Sequence, residues 1–189
     1  MPLPDSPRIP PTLTDGVITL RPWKRTDAPG VLKACQDADI QHWLPVPVPY
    51  LPEHAEGFVD EFSKQQWTSG EGAPFAAVDA NAGHLLGAFG LKEIDRVRGV
   101  AELGYWVAAW ARRRKVAQRG VALISDWAFG VAGLTRLELL VEPTNIASCA
   151  VVERAGAVLE DIVPDMDVIQ GTSRDIARYA LQRVGETVT

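Results

Sequence analysis

Hydrophobic and polar positions alternate most clearly between Gly99 and Val107. A period of two places Ala101 and Leu103 on one face of a strand, with Glu102 and Trp106 on the other. Similar alternation predicts further strands near residues 17–21, 75–79, 84–91, 134–141, 157–169 and 174–183. Apolar residues at helical spacing predict helices over residues 26–37, 53–69, 115–129 and 146–154.

Proline interrupts these patterns at two places. The first 15 residues contain five prolines, which fix φ and remove amide donors, so we expect an extended arm there. Residues 41–52 contain four prolines beside Trp43 and Tyr50, which predicts a stiff aromatic loop. Strands and helices intermix along the rest of the chain. This order predicts one α/β domain over residues 16–184, with helices packed on the faces of a sheet.

Composition narrows the class of protein. The chain has 189 residues, 47% of them hydrophobic, which is enough to bury a core without a disulfide or a metal. A formal net charge of -5 argues against a nucleic acid or an anionic membrane as the main partner. The two cysteines and three histidines lack metal-ligand spacing, and the N-terminus lacks a signal-peptide pattern. We therefore expect a cytoplasmic protein without a metal.

A run of four cations, Arg112, Arg113, Arg114 and Lys115, stands directly before the helix predicted over residues 115–129. Free amides and the positive end of the helix dipole suit such a position to phosphate. Two other interpretations stay open for this run. It is either a solvated group of charges, which is the usual case, or a contact surface for RNA or the ribosome.

Several segments, taken in order, resemble the GNAT superfamily of acyl-CoA-dependent N-acyltransferases, and within it the RimJ/RimL-type ribosomal-protein N-terminal acetyltransferases. Each segment is short, but together they cover nearly the whole chain beyond the arm. They are Val17–Trp23, Thr26–Ala28, Asp39–Leu44, Ala101–Val107, Ser125–Phe129, Asn145–Gly156 and Arg174–Leu181. The resemblance implies a mixed, mostly antiparallel central sheet with helices on both faces, and it allows a homodimer.

The resemblance also implies where the co-substrate, acetyl-CoA or another acyl-CoA, would lie. It would occupy an opening between the strand ending at Val107 and the strand ending at Val141. The pantetheine arm would pair with the backbone near Trp106 and Val107, and Asn145 would line the thiol end. Amides of the loop would hold the pyrophosphate, and the residues of that loop are Arg112, Arg113, Arg114, Lys115, Val116 and Ala117.

The loop departs from the family pattern at two positions. Lys115 stands where the family carries glycine, and Arg113 stands where many relatives of this branch do. Side chains there would crowd the approach to phosphate, whereas their charges would attract it, and these effects oppose each other. The departure also motivates an alternative function. The chain would then be a binding or regulatory module that does not acetylate, or an enzyme with altered chemistry.

Acyl transfer to an amine needs a base, an oxyanion donor and an acid for the thiolate. Glu102 is the candidate base, acting through a water; the alternative is an ion pair with Lys92 or Arg136. Ser148 is the candidate acid or proton relay, placed by the family's Asn-x-x-Ser pattern; the alternative is a hydrogen bond to a helix carbonyl. Val152 stands where many relatives carry a tyrosine acid, which leaves that role to Ser148 or to solvent. A backbone amide near Tyr105 to Val107 would stabilise the oxyanion.

The candidates for the acceptor pocket are aromatic residues. Trp43, Tyr50 and Trp67 are candidates to form its wall, with core packing as the alternative for each. Cys149 adjoins Ser148, but without a nearby histidine it is expected to be a small buried hydrophobe. The expected acceptor is a primary amine, either of a protein N-terminus or of a small molecule. The resemblance does not distinguish these two, because acceptor pockets vary among proteins that share a fold.

Overall fold

The computed structural model describes residues 10–183, which form a single eight-stranded sheet with helices on both faces. Its strands follow the order β1-β2-β3-β4-β5-β6-β8-β7. They span β1 Leu13–Thr14, β2 Ile18–Arg21, β3 Ala73–Asp79, β4 Leu85–Asp95, β5 Val100–Val107, β6 Arg136–Val141, β7 Val158–Ile169 and β8 Thr172–Gln182. The α-helices are α1 Ala28–Ala34, α2 Ala38–Trp43, α3 Pro52–Gly57, α4 Ser63–Ser69, α5 Val116–Gly130 and α6 Ile146–Arg154.

All neighbouring strands are antiparallel except β5 and β6, which run parallel. Strand β3 shows how both faces are covered. Phe75 and Ala77 lie in one core with residues of α5 and α6, whereas Ala76 and Val78 lie in a second core with residues of α1, α2 and α3. The predicted α/β architecture, with a mostly antiparallel sheet between helices, is confirmed.

The N-terminal half departs from the sequence-based expectation in three helices. The helix predicted over 53–69 is α3 and α4 joined by a π-helical segment, Phe58–Phe62. The helix predicted over 26–37 is a 3₁₀ turn, Arg25–Asp27, followed by the short α1. The loop prediction for 41–52 is wrong at its start, because α2 continues to Trp43. The Asp37 side chain caps α2 by accepting the Ile40 amide at 3.2 Å, and the prolines begin only beyond it.

The beginning of the chain also contains a strand that the proline pattern concealed. Leu13 pairs with Leu20 and Thr14 with Thr19, so the stretch predicted to be an extended arm ends in β1. The rest of that prediction, over residues 1–9, lies outside the described residues, as does residue 184 at the far boundary of the predicted domain.

Helix α5 packs directly against β4 at Gly120. A Cβ atom at Gly120 would lie only 2.3 Å from the Phe89 ring, so glycine permits this close approach. The Phe89 ring stacks in turn on Tyr105 of β5, with centroids 5.4 Å apart and an angle of 13° between the planes. Two strands and a helix therefore fix the position of the Tyr105 ring.

Candidate active site

The parallel strands β5 and β6 share hydrogen bonds only at their beginnings. Their register runs from Val100 and Arg136 to Glu102 and Glu138, and no pairing continues beyond that point within residues 10–183. Strand β5 nevertheless extends to Val107 and β6 to Val141. Residues of both strands line a cavity of about 960 Å³ in the opening. Main-chain groups on this side of β5 are therefore available to a bound molecule.

Most of the residues predicted to form the site line this cavity. They come from β5, from the loop before α5, from α6 and from α2, and they are Glu102, Trp106, Val107, Arg112, Arg113, Lys115, Val116, Ala117, Asn145, Ser148 and Trp43. Arg114 is the exception among the loop residues. It lines a smaller cavity of about 420 Å³, where its guanidinium lies 3.7 Å from the Asp79 carboxylate.

The two residues that stand in place of glycine have a backbone conformation typical of glycine. Arg113 has a φ of 61° and Lys115 a φ of 59°, so both adopt the left-handed conformation that glycine favours. Such a conformation costs an ordinary residue roughly 1–2 kcal/mol. Because Lys115 is the residue that precedes the 15-residue helix α5, the free amides of that helix follow directly.

The loop cations have different partners. Arg112 forms ion pairs with Asp37 and, at 2.8 Å, with Asp39, which ties the loop to the beginning of α2. Arg113 and Lys115 are exposed and form no ion pair among the described residues. These two cations beside the helix N-terminus are therefore the ones available to an anionic ligand.

Glu102 lies where the two strands part. Its Oε1 is 2.8 Å from the Lys92 ammonium, and its side chain is only 13% exposed. Burial raises the pKa of Glu102, and the hydrogen bond from Lys92 offsets part of that rise. The ion pair with Lys92 that was the alternative role is thus formed, while Arg136 pairs with Glu138 and Glu160 instead. Glu102 still lines the cavity, so the two roles are compatible.

Ser148 has a partner that the sequence did not reveal. Its Oγ lies 2.8 Å from the hydroxyl of Tyr105, which is 43 positions away, and both residues line the cavity. Burial raises the pKa of Tyr105, so its phenol stays protonated at neutral pH. Asn145 caps α6, because its Oδ1 accepts the Ser148 amide at 3.1 Å. This cap leaves the Asn145 amide nitrogen free to serve a ligand.

The three aromatic candidates for the acceptor pocket separate in the structure. Trp43 lines the cavity at the end of α2. Tyr50 is 6% exposed and belongs to the core beneath α1 and α3. Trp67 packs against Phe75 and Trp127, and its Nε1 donates to a carbonyl at 3.0 Å. Tyr50 and Trp67 therefore have the packing role that was their alternative, and they lie outside the cavity.

Among residues 10–183, no group of three or more histidine, cysteine and acidic side chains has the arrangement of a metal site. No helix among those residues combines the length and the apolar character that crossing a bilayer requires.

This chain is similar to known proteins of one family. The acetyltransferase (GNAT) domain family matches residues 18–158. The N-acetyltransferase p20 of Bacillus licheniformis is 22% identical over 170 residues, which cover 90% of this chain and 95% of that protein. RimJ of Mycobacterium smegmatis, solved with a CoA-disulfide, has a TM-score of 0.84 at 22% identity, covering 93% of this chain and 88% of RimJ.

A second solved structure is similar over its whole length. RimL, a ribosomal L7/L12 alpha-N-protein acetyltransferase solved with coenzyme A, has a TM-score of 0.79 at 19% identity, covering 96% of this chain and 98% of RimL. The family match extends over most of the chain and includes the strand, loop and helix that form the cavity. The resemblance found in the sequence is thus confirmed: the chain belongs to the acetyltransferase (GNAT) family, whose members perform acyl-CoA-dependent N-acetyl transfer.

Proposed function

We propose that this protein transfers the acetyl group of acetyl-CoA to the amino terminus of a protein substrate, inside the cavity between β5 and β6, and that it acts in the cytoplasm. The observation that carries the proposal is the early end of the β5–β6 pairing at Glu102 and Glu138. It leaves an unpaired strand edge between a carboxylate at one end and the beginning of α5 at the other. The relatives solved with coenzyme A support the choice of co-substrate.

The residues present fit the diphosphate of acetyl-CoA. The left-handed conformation of Arg113 and Lys115 keeps the loop backbone in the form that glycines would give it. Free amides at the beginning of α5 would hold the phosphate oxygens, and the two unpaired cations would add their charge. The pantetheine arm would pair with the open edge of β5 near Trp106 and Val107, while Asn145 would donate its amide to it.

The chemical step follows from the two polar groups that line the cavity beyond this arm. Glu102, as carboxylate, accepts a proton from the acceptor ammonium through a water. The neutral amine then attacks the thioester carbonyl, and the C–N bond forms. A main-chain amide between Tyr105 and Val107 stabilises the oxyanion. As the C–S bond breaks, the nitrogen gives up its second proton to solvent, and the Ser148 hydroxyl donates a hydrogen bond to the departing sulfur. The sulfur takes up a proton from solvent, and Glu102 releases to solvent the proton that it accepted.

A protein N-terminus is the acceptor that the relatives favour, since RimL acts on the α-amino group of a ribosomal protein. The lining near the point where the strands part supports a cationic acceptor. Glu93 and Glu102 both line the cavity, and Lys92 pairs with Glu102. A small amine-bearing molecule is the second candidate, because a cavity of about 960 Å³ holds more than the pantetheine arm.

The test begins with thermal unfolding in the presence of acetyl-CoA. A ligand at 100 times its Kd adds about 2.7 kcal/mol to the free energy of unfolding, which gives a clear shift. Acetyl transfer is then followed by mass spectrometry with peptides that carry a free N-terminus and with a panel of small amines. Matched peptides with a blocked N-terminus and a free lysine are the control.

We expect a mass gain of one acetyl group on the free N-terminus alone. Acetylation of small amines without any peptide product would assign the second candidate instead. Binding of acetyl-CoA without transfer to any amine would point to the binding module. The absence of both a thermal shift and a product at millimolar acetyl-CoA would overturn the proposal.

A further inference from the structure

The hydroxyl groups of Tyr105 and Ser148 meet across the opening between the parted strands. Tyr105 belongs to β5, on one side, and Ser148 to the first turn of α6, which follows β6 on the other. Their oxygens are 2.8 Å apart, and both side chains line the cavity. Within residues 10–183, Tyr105 is the hydrogen-bond partner of the Ser148 hydroxyl, which makes no bond back to a carbonyl of its own helix.

The surroundings of Tyr105 are built to hold its ring in place. The ring is stacked on Phe89, which itself lies against Gly120 of α5 without room for a side chain between them. Its hydroxyl therefore keeps one position relative to α6. Because burial keeps the phenol protonated at neutral pH, the group is available as a donor rather than as an anion.

A serine hydroxyl has one hydrogen and two lone pairs, so its orientation depends on its partners. If the Tyr105 phenol donates to Ser148 Oγ, the serine keeps its own hydrogen for a third group. The backbone amide of Ser148 is already used in the Asn145 cap, and the helix fixes the Cα atom. Tyr105 is then the group that decides where the serine hydrogen points.

We propose that Tyr105 is a positioning residue for the reaction, whose phenol donates to Ser148 Oγ and so directs the Ser148 hydrogen at the sulfur of the bound co-substrate. The inference rests on the proposed function, in which Ser148 faces the departing thiolate. No covalent bond to either residue forms or breaks. The two hydroxyls stabilise the negative charge that develops on sulfur as the C–S bond breaks, and the proton that sulfur finally takes comes from solvent.

The variants that test this idea remove one hydroxyl at a time. Tyr105→Phe keeps the ring that stacks on Phe89, and Ser148→Ala removes the proposed donor. Tyr179→Phe is the matched control, because Tyr179 is a buried tyrosine whose hydroxyl bonds to Glu153 at 3.0 Å and lies outside the cavity lining. All variants, including the double variant Tyr105→Phe/Ser148→Ala, are compared with the wild type in thermal unfolding.

The kinetic expectation is non-additivity. In Tyr105→Phe the Ser148 hydrogen is no longer directed at the charged sulfur, and weakening of that hydrogen bond should lower kcat about tenfold, while KM for acetyl-CoA changes less than about twofold. The double variant should be no slower than Ser148→Ala alone, since Tyr105 acts only through the serine. Tyr179→Phe should turn over like the wild type. Losses that multiply in the double variant, or an unchanged kcat in Tyr105→Phe, would overturn the proposal.

A second measurement does not depend on the acceptor. Coenzyme A bound to each protein is titrated with base, and the thiolate is followed by its ultraviolet absorbance relative to the free protein. Ser148→Ala should raise the pKa of the bound thiol above that in the wild type, and Tyr105→Phe should raise it in the same direction by at most as much. Equal pKa values in all the proteins would overturn the proposal. A raised pKa without transfer to any amine would leave the inference standing and contradict the proposed acceptor. Failure to bind coenzyme A would refute both.

Discussion

The Lys92 ammonium lies 2.8 Å from Oε1 of Glu102, where β4 and β5 pair beside the cavity. The contact joins an exposed lysine to a carboxylate that is nearly buried, and it lowers a pKa that burial raises. Glu93 and Glu138 act in the opposite direction, since both raise the pKa of Glu102. The readiness of Glu102 to accept a proton is therefore adjusted by its neighbours on both flanking strands.

Replacing Glu102 with glutamine should remove the base and keep the shape of the side chain. We expect kcat to fall by about 100-fold, the lower end of the usual contribution of general base catalysis, with the Kd for acetyl-CoA unchanged. Steady-state kinetics and thermal shift measure the two quantities. Turnover at the wild-type rate would remove Glu102 from the mechanism.

Replacing Lys92 with methionine should move the pH profile rather than abolish activity. The ammonium lowers the pKa of Glu102, so its removal raises that pKa further above the ordinary value. Because the base must be ionised, the acidic limb of kcat/KM should shift to higher pH, while activity well above the limb is retained. Lys64→Met, on the exposed side of α4, is the control. If the acidic limb of the Lys92→Met profile lies at the same pH as in the wild type, the ionisation of Glu102 does not determine that limb.

The loop before α5 offers a test of charge against backbone strain. In Lys115→Gly, relief of the left-handed conformation should gain roughly 1–2 kcal/mol and the added freedom of glycine should cost about 0.5–1 kcal/mol, so stability should rise slightly. The affinity for acetyl-CoA should nevertheless fall about two- to fivefold, because a cation next to the phosphates is lost. Calorimetric titration measures the affinity.

Lys115→Gln separates the two effects. It keeps the strained backbone and removes only the charge. It should therefore lower the affinity for acetyl-CoA as much as Lys115→Gly does, without changing the free energy of unfolding. Tighter binding in Lys115→Gly would instead show that the side chain crowds the diphosphate. Affinities that match the wild type in both variants would contradict any contact between Lys115 and the co-substrate.

The contact between Gly120 and Phe89 predicts a loss of stability from a single methyl group. Gly120→Ala forces the Phe89 ring to move, and overpacking of this kind costs about 1–3 kcal/mol. Gly130→Ala in the same helix meets no atom within 4 Å and should be neutral or stabilising by up to about 1 kcal/mol. Denaturant unfolding compares the two. A Gly120→Ala variant as stable as Gly130→Ala would disprove the tight packing.

Sequence patterns were sufficient for elements that are long or well bounded. Helix α6 spans the predicted residues, since Asn145 caps it and Gly156 follows its end. Helix α2 was missed because it has only six residues and stands beside four prolines, while its signal, the cap at Asp37, is a single side chain. Strand β1 was missed for a related reason, since two residues give no alternation.

The site was only partly open to prediction. The family resemblance predicted roles for Glu102 and Ser148, and both line the cavity, but the contact between Tyr105 and Ser148 joins residues 43 positions apart, which no local pattern encodes. The burial of Tyr50 and Trp67 also depends on which face of a helix or loop meets the sheet. For Arg113 and Lys115 the opposing effects of size and charge could not be weighed until their backbone angles were known.

The early parting of β5 and β6 has a consequence for how this fold diversifies. The open edge of β5 consists of peptide groups whatever side chains the strand carries, so substitutions elsewhere in the cavity would leave the proposed binding edge for acyl-CoA in place. Proline is the substitution that this strand edge does not tolerate, since it removes the backbone N–H that would donate the hydrogen bond. In the proposed arrangement, substitutions on the other sides of the cavity would therefore be enough to change the acceptor.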